Sequence, residues 1–505
     1  MLEKAKNNKP VKVQPIKDKK FISFIISLVL GFVTLLLVKN TTLDINGQRL
    51  LATLVVIMYI WVTGCMNLPT SALLLLVLST LSITDFTGTV KGGLGMDKAL
   101  TASLGGFTGS VPITVIAGTA LAAIIKSSGL AERVVYRIMK LVAGKSGKAT
   151  PSKILGALFL ADIPASLMMP SATGRCALYM SVAEGLEEPY EFATLESGKK
   201  INPFQKAVWI AVALIPVVMG GAFLTGAEAT IMAGGLIAET TMIPQYWGFV
   251  FAMMFIPALL VMWLSWYVLK KIFPSTVTDV KLSFIDEKIK SLGKMTFKEK
   301  YSLVVLISMI ILFLTDKYHG IPATLVLIIA AVVLFLPSVG PGNWKKEGKQ
   351  IAWDGYFIIG AALGFSSLLT KHKVMDFFAG KIATLGIHGF FLALVIMIAI
   401  TLIVRLGIAS ITSAAALLVP FSMIFGQGAG LIPTQLVTLA WVTYVFCRIS
   451  FFLPHQGAQF IMTTGIGFYE KADLIKAASY ITPGAVAIYL IWSMVASPLI
   501  IKLFI

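Results

Sequence analysis

The sequence LADIPASLMMPSATGRCALYM, which spans Leu160–Met180, decides how the rest of the chain is interpreted. Apolar residues fill both of its ends, whereas proline, small residues and hydroxyl groups interrupt its middle at 170–175. This pattern predicts two short helices joined by a polar, non-helical tip. Inside a membrane, non-helical backbone is tolerated only where protein buries it or water lines it. The stretch therefore predicts a re-entrant helical hairpin whose tip lies within the protein.

A second stretch of the same kind, TLIVRLGIASITSAAALLVP, lies at Thr401–Pro420 and has Ser410–Thr412 at its centre. One broken segment in each half of a chain is typical of inverted repeats that hold a binding site between them. Helix N-termini at such tips carry free N–H groups and a positive dipole end, which suit a carboxylate or sulfate. The pair of tips therefore predicts a site for a small anion.

The composition is that of a membrane protein. Of the 505 residues, 57% are hydrophobic and only 13% are charged, whereas about 25% of a soluble protein is charged. The net charge of +18 comes mainly from lysines and arginines in loops, which indicates the positive-inside rule and not a nucleic-acid partner. Cys65, Cys176 and Cys447 fall in apolar segments without metal-ligand spacing and are predicted to be packed thiols.

Segment lengths predict an all-α polytopic membrane protein with about 11 transmembrane helices, since a spanning helix needs about 20 apolar residues. From the N-terminus, the predicted segments are a cytoplasmic tail at 1–20, a first transmembrane helix and loop at 21–49, a first repeat at 50–269 with a hairpin at 152–184 and a broken helix at 208–237, a cytoplasmic linker at 270–300, and a second repeat at 301–505 with a hairpin at 390–425 and a broken helix at 436–468.

Internal similarity supports a duplication. LPTSAL at Leu68–Leu73 resembles IPATL at Ile321–Leu325, and AGTAL at Ala117–Leu121 resembles IGAAL at Ile359–Leu363. These pairs and the two tips occur in the same order, at similar separations along the chain. An odd number of spans in each repeat would invert the second copy, as in many secondary transporters. The lysine-rich start, which has no cleavable signal pattern, predicts a cytoplasmic N-terminus in the cell membrane.

Four short motifs carry a family resemblance: PSATGR at Pro170–Arg175, SIT at Ser410–Thr412, FLTG at Phe223–Gly226 and PHQG at Pro454–Gly457. In these motifs and their order, the chain from about Leu51 to its end resembles the divalent anion/sodium symporter family, and most closely its citrate/succinate/tartrate branch. The resemblance implies scaffold helices, which form a homodimer, and a transport domain of hairpins and broken helices that moves past them as an elevator. It also implies Na⁺ as the coupling ion and no enzyme cofactor.

The motifs give the predicted site residues. Those predicted to bind substrate are Ser171, Ala172, Thr173, Arg175, Ser410, Ile411, Thr412, Pro454 and His455. Those predicted to provide Na⁺ sites are Ser171, Thr225, Gly226, Glu228, Ser410, Thr412 and Gly457.

The chain departs from the family pattern at its signature asparagines. Ala172 and Ile411 replace the asparagine of each tip, and Thr230 replaces a further one after the first broken helix. An asparagine side chain both donates and accepts hydrogen bonds, whereas alanine and isoleucine do neither. Cation coupling is therefore predicted to be weakened, altered or replaced by exchange.

Ionisable residues at membrane depth are usually functional, and each has an alternative role. Arg175 either contacts a substrate carboxylate or forms an internal ion pair with Asp162 or Glu228. Glu228 is either a cation ligand or proton carrier, or a solvated loop acid. Arg405 is expected in a structural pair or with its head at the interface. His455 either binds an anion or proton, or forms a hydrogen bond at a helix end.

The function predicted from these observations is secondary transport of a small anion, with di- or tricarboxylates preferred. Exchange of two anions without cation coupling, transport of sulfate or another inorganic anion, and a non-transporting anion receptor are the alternatives. The sequence contains no nucleophile–base pair, metalloprotease motif or phosphate-binding loop that would indicate an enzyme.

Overall fold

The structure, a computed structural model, describes residues 19–88, 93–144, 148–186, 201–275 and 280–504. Helices form nearly all of the regular structure in these ranges, which confirms the predicted all-α class. Two short strands, β1 (Lys148–Ala149) and β2 (Val280–Lys281), pair antiparallel. The predicted tail at 1–20 lies outside the described residues except for Lys19 and Lys20.

The helices of the first half of the chain run from Lys19 to Ser291. They are α1 (Lys19–Val38), α2 (Ile45–Thr63), α3 (Leu68–Ile83), α4 (Met96–Leu104), α5 (Ser110–Ser128), α6 (Leu130–Ala143), α7 (Pro151–Met168), α8 (Ala172–Glu184), α9 (Pro203–Met219), α10 (Glu228–Thr241), α11 (Trp247–Ile272) and α12 (Ser283–Ser291), with a 3₁₀ turn at Gly105–Phe107.

The second half follows a similar plan. Its helices are α13 (Phe297–Leu314), α14 (Asp316–His319), α15 (Ala323–Leu334), α16 (Trp344–Glu347), α17 (Trp353–Lys371), α18 (Val374–Ala383), α19 (Phe390–Arg405), α20 (Ile411–Gly428), α21 (Pro433–Ile449), α22 (Ala458–Gly465), α23 (Lys471–Val495) and α24 (Ser497–Phe504), with 3₁₀ turns at Gly348–Gln350 and Pro454–Gln456.

Several helices have the length and composition of membrane spans. Within the described ranges, seven helices are long and apolar enough to cross a bilayer, counting α23 and α24 as one, and α3, α9, α15 and α19 are shorter apolar helices. In the apolar segment of α1, only 17% of the residues are buried inside the protein, against 67% in the corresponding segments of α5 and α20. Helix α1 therefore lies at the periphery, where lipid would cover its apolar residues, and α5 and α20 are central.

The packing of the duplicated motifs is reciprocal. Helix α3, which carries LPTSAL, packs against α17, which carries IGAAL, while α5 with AGTAL packs against α15 at the IPATL motif. The hydroxyl oxygens of Thr114 and Thr324 lie 2.5 Å apart across the α5–α15 contact. A Cβ at Gly106 would overlap the backbone of α17 at Gly360 and Gly364. This exchange of partners between repeats is what a pseudo-two-fold duplication produces.

The basic helix α6 and the linker lie on the same side of the molecule. Arg133 of α6 forms a buried ion pair with Glu299 at the start of α13, with Nε and Oε1 2.6 Å apart. Its guanidinium also donates to the carbonyl oxygens of Leu292 and Gly293, just before α13. The sequence-based topology likewise places both segments on one side.

Helix α9 is a buried, central helix of the first half. All of its side chains are buried except those of Pro203 and Lys206. Asn202 caps its N-terminus by accepting from the Phe204 N–H, and it packs against α7, α8, α11, α21 and α22. Because α7 and α8 both pack on it, α9 fixes the position of the segment between them relative to the break that follows α9.

Candidate functional site

The first tip is a three-residue interruption between α7 and α8. Met169 has φ −134° and ψ 95°, an extended conformation that ends α7 and that the following Pro170 favours. Ser171 then caps α8, since its hydroxyl oxygen accepts a hydrogen bond from the Gly174 N–H at 3.2 Å. The Thr173 hydroxyl lies 3.1 Å from the Ser171 hydroxyl. The local sequence thus builds a short tip with two hydroxyl groups.

The second tip has the same construction. Helix α19 ends at Arg405 and α20 begins at Ile411. Ser410 caps α20 by accepting from the Ser413 N–H at 3.2 Å, which matches the cap that Ser171 forms on α8. Each predicted tip therefore corresponds to a non-helical segment followed by a serine-capped helix.

Each half also contains a broken helix. The first break is residues 220–227 between α9 and α10, and it begins with the glycine pair Gly220–Gly221. The second break is residues 450–457 between α21 and α22, and it contains the PHQG motif. Both breaks leave backbone carbonyl and N–H groups without helical partners.

The two tips and the two breaks meet at one cavity of about 430 Å³. Helices α8, α10, α20 and α22 all begin at this cavity, so four helix N-termini face it. The cavity is lined by Pro170–Thr173 and Ala409–Thr412 from the tips, Ala227–Ala229, His455, Gly457–Gln459 and Ile461 from the breaks and the helices after them, Trp61, Gly64 and Met66–Leu68 from the α2–α3 turn, and Arg448.

Many of the predicted site residues line this cavity. They are Ser171, Ala172, Thr173, Glu228, Ser410, Ile411, Thr412, His455 and Gly457. The Nε2 atom of His455 lies 3.0 Å from the Leu406 carbonyl oxygen, which joins the second break to the second tip. Because a carbonyl only accepts, Nε2 carries the proton in this contact.

Arg175 does not line the cavity, and the structure places it in the alternative role, an internal ion pair. Its Nε lies 2.9 Å from Asp162 Oδ1, and both side chains are fully buried. The rest of the guanidinium donates to the carbonyl oxygens of Met169, Gly226 and Pro216. Both Nη atoms of Arg175 therefore contact protein carbonyl groups behind the cavity wall, and the structure shows the internal ion pair and not the predicted direct contact with substrate.

Three further predicted residues lie outside the cavity. The Thr225 hydroxyl accepts from Trp247 Nε1 at 3.0 Å, on the side of α11. The carbonyl oxygen of Gly226 accepts from Arg175 Nη1 at 3.0 Å. Pro454 lines a neighbouring cavity together with Leu453, and His455 borders both. Thr225, Gly226 and Pro454 are thus behind or beside the cavity wall and do not face it.

Arg405 connects the tip and the break of the second half, as Arg175 connects those of the first half. It is fully buried, and its guanidinium donates to the carbonyl oxygens of Ile408, in the second tip, and Gln456, in the second break. The Gln456 amide in turn donates to the Arg405 carbonyl oxygen at 2.9 Å. The predicted structural role is the one that the structure shows, with carbonyl groups as partners.

Two parts of the cavity wall were not predicted. The α2–α3 turn contributes Trp61 and Asn67, and the last turn of α21 contributes Arg448. An arginine inside the apolar run Pro433–Ile449 is itself a signal, because charge is expensive at membrane depth. The turn has no such signal, since only the tertiary fold brings it to the tips.

A family model described as "Sodium:sulfate symporter transmembrane region" matches residues 18–502. A membrane protein of Cupriavidus necator is 24% identical over 388 residues, which cover 75% of this chain and 73% of that protein. An uncharacterized transporter of Haemophilus influenzae is 26% identical over 325 residues, which cover 62% of this chain and 64% of that protein.

Two solved structures share the fold. One is MtrF of Neisseria gonorrhoeae, described with a class of antimetabolite efflux pumps, with a TM-score of 0.57, 14% identity and coverage of 86% of this chain and 97% of that chain. The other is the YdaH transporter of Alcanivorax borkumensis, with a TM-score of 0.56, 15% identity and coverage of 85% and 97%. At these identities the likeness concerns the fold alone, and it confirms the predicted class of polytopic membrane protein.

Proposed function

Since the chain belongs to the sodium:sulfate symporter family and is a membrane transporter, we propose that it is a secondary active transporter of small anions, with di- or tricarboxylates as the preferred class. The convergence of both tips and both breaks on one cavity is the observation that carries this proposal. A volume of about 430 Å³ lies within the range of about 300–1,000 Å³ that is usual for small-molecule sites.

The electrostatics of the cavity favour an anion. The N-termini of α8 and α20 begin at Ala172 and Ile411, and both residues line the cavity. Free N–H groups and helix dipoles at such ends stabilise negative charge. Although the signature asparagines are replaced, backbone N–H groups and the tip hydroxyls remain as donors for carboxylate oxygens.

The proposed movement is that of an elevator. The hairpins and broken helices would form a transport domain, and α2–α5 with α13–α17 would form the scaffold, with two chains as a homodimer in the cell membrane and the N-terminus in the cytoplasm. The lining of the cavity supports this division, because it combines the tips and breaks of one group of helices with the α2–α3 turn of the other. A solute there lies at the boundary between the two groups of helices.

The test is uptake by the purified protein in proteoliposomes, with labelled succinate, citrate and sulfate. We expect saturable uptake of at least one dicarboxylate or tricarboxylate, and weaker uptake by Ser410→Ala, which loses both a helix cap and a cavity hydroxyl. Ser181→Ala, on α8 away from the cavity, is the matched control. Uptake of none of the three probes contradicts the proposal, and binding without uptake supports the anion receptor instead.

Anion exchange without cation coupling is the second candidate, and one observation favours it. The family name implies Na⁺, whose usual ligands are hard oxygens such as free carbonyl groups. In each half, however, carbonyl oxygens of the tip and the break accept from a buried guanidinium: Met169 and Gly226 from Arg175, and Ile408 and Gln456 from Arg405. These four carbonyl oxygens therefore already accept from a fixed cation, and one of them, that of Gly226, belongs to a predicted sodium ligand.

Counterflow distinguishes the two modes. With exchange, efflux of preloaded labelled succinate requires an external anion and is unchanged when choline replaces Na⁺ on both sides. With symport, net uptake follows the sodium gradient and needs no internal anion. A steep dependence on external Na⁺ would eliminate exchange as the mode of transport.

A further inference from the structure

Arg448 is a buried cation at the cavity. It lies in the last turn of α21, lines the cavity and is only 2% exposed. Glu228 and Asp162 interact with it electrostatically, but no carboxylate of the described residues is close enough to form an ion pair with it, whereas Arg175 is paired with Asp162. A buried charge is normally paired directly with a charge of opposite sign, so the absence of a carboxylate in direct contact with Arg448 requires an explanation.

The protein acceptors of Arg448 are neutral and incomplete. Its Nε donates to the Val217 carbonyl oxygen at 2.9 Å, Nη1 donates to the Tyr444 hydroxyl at 3.0 Å, and Nη2 donates to the Pro216 carbonyl oxygen at 3.3 Å. A guanidinium carries five N–H donors in a planar fork. These three contacts leave two N–H groups of the Nη atoms for an acceptor in the cavity.

The contact with Pro216 is the weakest of the three. The Pro216 carbonyl oxygen also accepts from the Gly220 N–H at 3.1 Å and from Arg175 Nη2 at 2.9 Å. A carbonyl oxygen has two lone pairs, so the longest of these contacts, that of Arg448 Nη2, is the one most readily exchanged. An incoming carboxylate would be a better acceptor than this shared carbonyl oxygen, because it adds the attraction of opposite charges and can accept two parallel hydrogen bonds from a guanidinium.

A directed chain of hydrogen bonds holds the guanidinium in place. Tyr444 accepts from Arg448, so its hydroxyl proton points to Thr230, whose hydroxyl oxygen lies 2.5 Å away. Thr230 in turn donates to the Gly220 carbonyl oxygen at 2.8 Å. A Cβ at Gly220 would overlap Arg448 Nη2, so the chain also depends on glycine at this position. Thr230 is one of the positions where the chain departs from the family pattern.

We propose that Arg448 anchors one carboxylate of the transported anion through its free Nη donors, and that it thereby selects solutes by charge. The inference rests on the proposed function and names the group that recognises the substrate. Ala172 and Ile411 cannot donate from their side chains, so a guanidinium at the cavity wall supplies charged donors that the tips lack. Glu228 on the same wall disfavours further negative charge, which makes a counter-cation necessary for a dianion.

The test compares two probes that differ in one charge, succinate and its monoamide, succinamate. Arg448→Gln and Arg448→Lys are compared with Arg137→Gln, which removes one positive charge from α6 without touching the cavity. Counterflow in proteoliposomes gives KM and maximal rate, and thermal stabilisation of the purified full-length protein gives affinity without transport.

We expect the wild type to prefer succinate. In Arg448→Gln the preference for succinate over succinamate falls about tenfold or more, because the second carboxylate loses its charged donor while an amide can bond to the substituted side chain. Arg448→Lys keeps part of the preference. If Arg448→Gln weakens the binding of both probes by the same factor, or of neither, the preference for succinate is unchanged. Arg448 would then be only structural, and the inference would be overturned.

Tyr444→Phe tests the same inference in a variant that keeps the arginine. Loss of the orienting hydroxyl raises the KM for succinate about fivefold and leaves the maximal rate nearly unchanged. Tyr301→Phe, which removes a hydroxyl bonded to the Val333 carbonyl oxygen in a distant helix, leaves both values unchanged. An unchanged KM in Tyr444→Phe contradicts the positioning role.

Failure of the proposed function is distinguishable from failure of this inference. If succinate stabilises the wild type but is not transported, transport is disproved and the ratio of stabilisation by the two probes decides the role of Arg448. If millimolar succinate, citrate and sulfate all fail to stabilise the wild type, both proposals are overturned.

Discussion

Arg175 and Asp162 form a fully buried ion pair, in which Arg175 Nε lies 2.9 Å from Asp162 Oδ1. Asp162 also accepts from the Tyr179 hydroxyl at 2.9 Å. The remaining donors of Arg175 join the first tip, through Met169, to the first break, through Gly226. One charged side chain therefore positions both of the segments that form the first half of the cavity wall.

Asp162→Asn should destabilise the protein strongly, because it leaves the buried Arg175 without a counter-charge. Removing one partner of a buried pair costs about 3–5 kcal/mol, which should appear as a large fall in the melting temperature of the detergent-solubilised protein. Asp286→Asn is the control, since the Lys140–Asp286 pair is about half exposed and exposed pairs contribute about 0–1 kcal/mol. Equal melting temperatures for the two variants would contradict a structural role for the buried pair.

Gly220→Ala should abolish or strongly reduce anion binding, because the new methyl group would displace the guanidinium of Arg448. Overpacking of this kind costs about 1–3 kcal/mol, so the melting temperature should fall as well. Gly380→Ala is the control, since a Cβ there meets nothing within 4 Å. Isothermal titration with the anion found in the uptake screen measures the effect, and wild-type affinity in Gly220→Ala would refute it.

Glu228→Gln should tighten the binding of a dianion, because it removes a negative charge from the wall of the cavity. Two like charges a few ångströms apart in a water-filled site repel by about 1 kcal/mol, which predicts about a two- to tenfold lower KM at low salt. Glu239→Gln, on the exposed side of the same helix α10, should leave KM unchanged. A loss of binding in Glu228→Gln would indicate instead that the carboxylate holds a coupling cation.

Labelling of single cysteines should reveal the orientation of the chain. In a Cys65→Ser background, Leu141→Cys on α6 should react with a membrane-impermeant maleimide only from the cytoplasmic side, and Tyr318→Cys in α14 only from the outside. Leu141 is 78% exposed and Tyr318 is 87% exposed, whereas Cys176 and Cys447 are buried and should not react. Labelling of both sites from one side would contradict the predicted topology.

The sequence by itself determined the class of the protein and the places where its helices are interrupted. Low charge and long apolar runs indicate a membrane protein, and the breaks depend on local chemistry: Pro170 ends one helix, and Ser171 and Ser410 cap the next ones. Such signals act over a few residues, so they can be read without the fold. The order of the motifs likewise sufficed for the family.

Only the tertiary structure decided which charged groups face the cavity. Arg175 stands beside the first tip in the sequence but turns inward to Asp162, while Arg448 reaches the cavity because its acceptors Pro216 and Val217, 232 and 231 residues away, hold it there. The direction of a buried guanidinium depends on which carbonyls and carboxylates lie around it. Those partners come from helices distant in the chain, so no local pattern could have assigned them.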